Sequence, residues 1–323
     1  MNAQPRPLII VAVLIVFVVI VGLLVVYLPL PEGIRSWLNV VFAPQEVRSH
    51  AYLGVEDGKG VVYELGATGI EKRSFEGFSI VDYVRTEKAE VGILRNSEGE
   101  YDVYALDGQT ATALTTDGRP KIALSVSLDG AYLAYSVFAR NLPAPKNMPE
   151  GEVAYSLAEW DVETILLSTG ENTLIGGGNH PHFYKDGLFY LAPEGFTYRI
   201  PGDNGFDTLD SKSIIPDTSV FRIMRVADFT DEGVFIFPSV ATLVYEELSI
   251  ASVKPLAFGS VTKTPPRVPA ETIDMQILSK DSRLVLMQVE GGRVALYKMK
   301  GEELKPFFTF PSDYQPRRFL DIE

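Results

Sequence analysis

From residue 45 onward the chain is written in runs of five to eight residues rich in Val, Ile, Leu, Tyr and Phe, separated by Gly, Asp, Asn and Pro. Apolar positions recur mainly at every second residue and no long helical period is sustained, so the pattern predicts strands joined by tight turns. One segment breaks it. Residues 8–28, LIIVAVLIVFVVIVGLLVVYL, carry no charge. At about 1.5 Å per residue a helix over that run spans about 30 Å, the hydrocarbon thickness of a bilayer.

The run predicts one transmembrane helix retained as an anchor. A cleaved leader has a shorter apolar region of roughly 7 to 15 residues and a small-x-small cleavage site. Here Tyr27, Pro29 and Pro31 follow instead, and no cysteine is present to receive a lipid. The expected division is a short cytoplasmic tail over 1–7, the transmembrane helix over 8–28, an intervening segment over 29–44 and a β domain over 45–323. In the intervening segment Pro31, Ile34, Trp37, Leu38 and Val41 fall on one helical stripe. Such a stripe fits the headgroup boundary, where an indole ring is buried and its N–H stays wet, and equally fits a linker helix packed on the domain. Charge does not orient the helix, because Arg6 precedes it and only Arg35 and Arg48 follow. A tiny tail before a large C-terminal domain is the shape of a signal anchor, which places the domain outside the cytoplasm.

The β domain repeats itself. VEDGKGVVYEL at 55–65, NSEGEYDVYAL at 96–106 and VEGGRVALYKM at 289–299 align without gaps. Gly58, Gly99 and Gly292 coincide, then Tyr63, Tyr104 and Tyr297, then Leu65, Leu106 and Met299. Each copy reads as a glycine turn entering a strand whose alternate residues are buried. Weaker copies end in Tyr198 with Ile200 and in Tyr245. The copy between them uses either Tyr155 with Leu157 or the run Thr164 to Leu167. A second element precedes each hairpin, most clearly in IALSVSLDGAYLAY at 122–135. Ser127 to Tyr135 resembles the S-P-D-G-x-x-I-A-F/Y signature of WD40-like repeats in the TolB-type β-propellers, with Leu128 where that family usually has Pro. Looser versions are YKDGLFY at 184–190, TDEGVFIF at 230–237 and SKDSRLVL at 279–286. The resemblance implies an all-β propeller domain and protein binding, with no specific partner.

Turn positions near Lys88, Asp129, Asp186, Glu232 and Asp281 are 41, 57, 46 and 49 apart, which are blade-sized steps. The first hairpin lacks an innermost strand before it, and Arg318 to Ile322 is a strand left over at the C-terminus. The expectation is therefore a six-bladed ring closed by the C-terminal strand, which leaves no exposed sheet edge at the join. Seven blades is the alternative, if one inserted region holds an irregular blade.

Charge narrows the function. The chain carries −13, and Arg6 is the one charged side chain before Glu32, so residues 32–323 carry −14. Such a surface repels phosphate backbones, so nucleic acid is not an expected partner. With no cysteine there is no disulfide or thiolate site, and stability must come from a core that 18 Phe and 15 Tyr can fill. Chemistry is sparse. Asn179-His180-Pro181-His182 would put two imidazoles on one side of an extended chain, with Asp186 as a third ligand, but a metal site needs more donors and a plain loop is preferred. Gly176 to Gly178 read as a turn, not a phosphate loop, because no Lys-Ser/Thr follows. Asp203 to Asp210 offers alternating oxygen ligands without the terminal Glu of a calcium loop, and an ordinary acidic loop is preferred. No catalytic motif is present, and no cofactor or metal is expected.

The most distinctive insertion is FARNLPAPKNMPEGE at 138–152, which lengthens one hairpin and sets Phe138, Arg140, Lys146 and Met148 against an acidic background. Long loops on rigid scaffolds often carry binding, so these four are the candidate partner-binding residues. The leading expectation is a non-catalytic protein-interaction or scaffold module of the cell envelope or a membrane complex, held in the bilayer by residues 8–28. The alternative is a propeller hydrolase or lyase with its site in the central channel.

Overall fold

Alternating burial builds the molecule: a strand such as Tyr101–Asp107 sends Tyr101 and Val103 into one seam and Leu106 into another, with Asp107 in solvent. The computed structural model describes residues 51–66, 69–143, 159–184, 187–193, 195–202, 205–208, 227–230, 233–239, 244–253, 256–263, 272–279, 282–301 and 303–320. The tail, the apolar run 8–28 and the segment 29–44 lie outside them. Among the described residues no helix is long and apolar enough to cross a membrane.

The chain begins with β1 (Ala51–Glu56), β2 (Lys59–Gly66) and β3 (Gly69–Arg73), then β4 (Ser79–Arg85), β5 (Glu90–Arg95), β6 (Tyr101–Asp107) and β7 (Thr110–Ala113). Next come β8 (Lys121–Val126), β9 (Tyr132–Phe138), β10 (Trp160–Leu166) and β11 (Glu171–Gly177), followed by β12 (Asn179–Tyr184), β13 (Gly187–Ala192), β14 (Gly195–Gly202) and β15 (Gly205–Thr208). Two further sets of four are β16 (Ala227–Thr230), β17 (Gly233–Ser239), β18 (Val244–Val253) and β19 (Leu256–Lys263), then β20 (Thr272–Ser279), β21 (Ser282–Gln288), β22 (Val294–Lys300) and β23 (Glu303–Thr309). The last strand is β24 (Pro316–Leu320).

These strands form antiparallel sheets of four, and six such sheets are present among the described residues. Sheets 2 to 6 are consecutive meanders from β4, β8, β12, β16 and β20. Sheet 1 is ordered β24-β1-β2-β3, so its first strand comes from the other end of the chain. Ala51 pairs with Leu320, Tyr52 with Phe319 and Leu53 with Arg318. First strands pack beside one another: β24 on β4, β4 on β8, β8 on β12, β16 on β20 and β20 on β24.

The aligned glycines sit where the repeat predicts, between the second and third strands of sheets 1, 2 and 6. Gly58, Gly99 and Gly292 take φ of 76°, 86° and 74°, which side-chain-bearing residues adopt at a cost. The Asp129 turn joins the first and second strands of sheet 3. Asp129 Oδ1 accepts from the Ser127 hydroxyl (2.6 Å) and the Ala131 amide (3.0 Å), and Ser127 Oγ accepts from the Tyr132 amide (2.9 Å). Of the repeat copy left open between two readings, β10 covers Thr164 to Leu166; Tyr155 and Leu157 lie outside the described residues.

The two ends of the sheets differ. Turns between first and second strands lie at one end, together with Ala51 and Leu320, where the domain is entered and left. Arg85, the last residue of β4, donates to Glu64 opposite Ala51 (2.6 Å), and Lys88 Nζ donates to the Asp129 carbonyl (3.1 Å), so sheets 1, 2 and 3 share this orientation. The opposite end carries the second-to-third connections, including the long loop after Phe138, and the segment 114–120 between sheets 2 and 3.

Side chains also stitch first strands to one another. Asp82 of β4 accepts from the Leu124 amide of β8 (2.9 Å), Ser125 of β8 from the Phe183 amide of β12 (2.8 Å), and Asp274 of β20 from the Phe319 amide of β24 (2.8 Å). Arg318 of β24 donates to Asp82 (2.6 Å). The C-terminal strand is thus fastened on both sides.

Candidate functional site

The segment between β7 and β8, TTDGRP, is held inward by Asp102 of β6. Its carboxylate accepts from the Thr115 hydroxyl (2.7 Å) and lies 3.3 Å from the Lys121 ammonium. Lys121 is fully buried and also donates to the Tyr101 carbonyl (2.9 Å), the Arg119 carbonyl (3.2 Å) and Asp117. A buried ammonium without such partners would be prohibitively costly, and here every donor has an oxygen to face. Arg119 then points the other way. Its guanidinium donates to the carbonyls of Phe138 (2.9 Å), Ala139 and Leu142 (2.9 Å), capping the first turn of the long loop.

A second guanidinium clamps the loop from above. Arg140 is half exposed and donates through Nε to Glu163 Oε1 (2.9 Å) and through Nη2 to Asp117 Oδ2 (3.0 Å). Glu163 is buried on β10, and its Oε2 also accepts from the Tyr135 hydroxyl (2.7 Å) and the Asn172 amide (2.8 Å). Burial opposes ionisation of Glu163, but hydrogen bonds from Arg140, Tyr135 and Asn172 outweigh it and hold the carboxyl below the usual carboxylate range. At Asp117 burial is likewise outweighed by Lys121, with Arg140 adding to the downward shift. The Tyr135 phenol is pushed well above its usual value by burial and by the neighbouring Glu163. With the Asp117 and Glu163 carboxyls shifted down and the Tyr135 phenol shifted up, the arrangement reads as an ionic latch and not a proton relay.

Of the four residues singled out in the insertion, Phe138 is the last residue of β9. It is buried against Trp160 (centroids 5.6 Å apart, nearly perpendicular) and belongs to the seam between sheets 2 and 3 instead of a contact surface. Arg140 is half exposed at the root of the loop, as just described. Lys146 and Met148 lie outside the described residues. The latch partners Asp102, Asp117, Lys121 and Glu163 escape a reading of the repeats, although one signal is present. WDVETIL of β10 lines up with YDVYALD of β6, which sets Glu163 where the repeat has Tyr104.

Elsewhere the histidine pair loses the geometry expected of an extended chain. His180 takes φ 52°, and the β12–β13 register shifts between Asn179 and His182, so the two imidazoles do not stand in simple alternation. Asp186 lies outside the described residues, among which no group of three His, Asp or Glu is placed to hold a metal. Gly178 is where the chain crosses from sheet 3 to sheet 4: φ is 140° and a Cβ would collide with the Leu191 carbonyl. In the acidic stretch at 203–210, Gly202 pairs with Gly205 and Ile200 with Asp207 in a β14–β15 hairpin. Residues 203, 204, 209 and 210 lie outside the described residues.

No family model matches the chain, and no curated protein matches it in sequence. Solved structures do. TolB from Acinetobacter baumannii superposes with a TM-score of 0.51 at 12% identity, over 87% of this chain and 68% of that one. A protein assigned as a 6-phosphogluconolactonase from Bacteroides fragilis gives 0.43 at 9% identity, over 86% of each chain. A chain of a mitotic checkpoint complex gives 0.40 at 8% identity, over 72% of this chain and 80% of that one. The last two superpositions carry no weight, and the likeness to TolB at this identity is one of fold alone. The chain has a propeller-like, all-β fold.

Proposed function

We propose that this chain is a membrane-tethered, six-bladed β-propeller, closed into a ring by its C-terminal strand, that acts outside the cytoplasm as a non-catalytic protein-interaction module. Ring closure is supported by the pairing of β24 with β1 and by the packing of first strand on first strand. Tethering is supported by the uncharged run 8–28. The binding role rests on one observation: the long loop after Phe138 leaves the sheets through a root locked by Arg119 and Arg140. A loop with a pre-ordered root presents its residues at less entropic cost on binding, and charge of one sign on an oppositely charged protein gives a partner a point of orientation.

The test compares cross-linked capture by the full-length, detergent-solubilised chain with capture by an Arg119→Ala/Arg140→Gln/Glu163→Gln variant that frees the root without leaving a buried carboxylate unpaired, its folding checked by circular dichroism and melting temperature. A partner held by the natural chain and lost from the variant supports the reading. An identical captured set from both overturns the loop as the binding element. Tethering is checked by mass spectrometry, which should find a mature chain that retains residues 8–28; a chain beginning after residue 28 would remove the anchor.

A further inference from the structure

The two ends of the sheets stand differently toward the tether. Ala51 and Leu320 pair at the end that bears the turns 86–89 and 127–131, so residues 29–50 reach the domain at that end. The loop root with Arg119 and Arg140, and the turns at 57–58, 96–100 and 290–292, lie at the other. If the stripe Pro31, Ile34, Trp37, Leu38 and Val41 lies in the headgroup boundary, only residues 42–50 remain to lead into β1. Fully extended, they reach at most about 30 Å. To bring the loop end down to the bilayer the leash would have to cross β2 and β3, about 10 Å, and then run the length of a seven-residue strand, about 23 Å, which together exceed its extended reach.

The end near the tether also bears an unusual side chain. Leu128 is 71% exposed at the tip of the Ser127–Ala131 turn, one of two large hydrophobic residues so exposed among those described. The other, Leu174, lies partway along the outermost strand β11 and not at a turn. A single exposed leucine is ordinary on a protein surface. At a turn tip on the end that the leash holds against lipid, it is placed to enter the interface, as apolar anchors of surface-lying segments do.

We infer that the sheet end carrying Ala51, Leu320 and Leu128 faces the bilayer, with Leu128 in contact with the lipid interface. The latched loop root faces away, toward a partner approaching from the aqueous side. The inference rests on the tethered reading given above and on the interfacial reading of the stripe from Pro31 to Val41.

The absence of cysteine makes the test clean, because a single introduced thiol is the sole labelling site. Leu128→Cys and Glu98→Cys, both at exposed turn positions at opposite ends of the sheets, are labelled with an environment-sensitive nitrobenzoxadiazole dye in the full-length chain. The chains are then reconstituted into phosphatidylcholine vesicles with and without doxyl-lipid quenchers. The expected result is blue-shifted emission at position 128 that the quenchers suppress, and unshifted, unquenched emission at position 98. Equal quenching at the two sites, or stronger quenching at 98, overturns the orientation while the chain still floats with the vesicles. A chain that fails to float with them removes the anchor and takes the inference with it.

Discussion

The seam between sheets 6 and 1 and the seam between sheets 2 and 3 join neighbouring sheets by different physics. The first is aromatic. Tyr52 lies against Phe310 and Phe319 at centroid separations of 5.1 and 5.3 Å, Phe308 against Phe310 at 5.0 Å, and Tyr63 against Tyr314 at 5.1 Å, over Leu284, Leu286 and Leu296. The second has an apolar body, including Ile93, Val103, Leu133 and Trp160, with an ionic edge built from Lys121, Asp102, Asp117, Arg140 and Glu163. Apolar burial is non-directional and strong, which suits the seam where the two ends of the chain must find each other. Buried ion pairs add little net stability but penalise any misplacement, which suits the seam where a loop must leave in one direction.

The largest effect should follow from removing the clasp. Deleting residues 317–323 strips buried Phe319 from the aromatic seam and buried Leu320 from the seam between sheets 1 and 2, at about 1.5 to 3 kcal/mol for each side chain. It also removes the Arg318–Asp82 and Phe319–Asp274 stitches and opens the β1 edge to other strands. Against a net stability of roughly 5 to 15 kcal/mol, the expected outcome is aggregation or misfolding of the full chain. A soluble truncation with an unchanged melting temperature would end the closed-ring reading.

Next in size is the ionic edge. Lys121→Met leaves Asp102 without its cation and Asp117 with Arg140 alone, and should cost about 3 to 5 kcal/mol by chemical denaturation. Lys121→Met/Asp102→Asn/Asp117→Asn removes the lysine and both of its carboxylates together, leaves the Arg140–Glu163 pair in place, and should recover much of that loss, because replacing a buried ion triad is often close to neutral. A triple variant as unstable as the single one would mean that Lys121 acts by packing, and the contrast between the seams would lose its basis.

How far each seam was legible in the sequence follows from the same difference. The aromatic seam announces itself: Tyr63 and Leu65 stand in a repeat, and strand alternation says which side they bury. The turns are equally plain, because Gly58, Gly99 and Gly292 answer to a local backbone requirement. The ionic edge is nearly silent. Lys121 meets Asp102 across 19 residues and Arg140 meets Glu163 across 23, and nothing in the alternation of β8 distinguishes a fully buried lysine from a solvent-facing one. Arg140 stands out by its charge against an acidic chain, whereas Phe138, two residues earlier in the same insertion, belongs to the core because β9 continues to it.

Acid should distinguish the seams by a smaller amount. The folded-state values of Asp117 and Glu163 are lowered, so their contribution is fully present above the ordinary carboxylate range near 4 and is lost as pH falls through the lowered values. The difference in melting temperature between the natural chain and Glu163→Gln should therefore hold steady from about pH 7 to 5 and shrink only below about 4. A difference that vanishes between pH 7 and 5 would show that the latch carboxylates are not held ionised by their partners.

The smallest effect carries an informative sign. Tyr52 is fully buried in the aromatic seam, burial drives its phenol far above the usual value, and its hydroxyl finds no hydrogen-bond partner among the described residues. Holding a hydroxyl there forfeits its bonds to water and gains none in return, a loss of about 1 to 3 kcal/mol. Tyr52→Phe keeps the ring contacts with Phe310 and Phe319 and discards only that hydroxyl, so it should leave stability unchanged or raise it by about 1 kcal/mol. In the other seam Tyr135→Phe deletes a hydroxyl that donates to Glu163 and accepts from Asn172, and it should destabilise by about 1 to 2 kcal/mol, the scale of a hydrogen bond to a charged group. The same atom removed from the same residue type thus lowers the denaturation midpoint at the ionic seam and does not lower it at the aromatic one. If Tyr52→Phe proves as damaging as Tyr135→Phe, an ordered water or another partner satisfies Tyr52, and the aromatic seam is wetter and more directional than its rings imply.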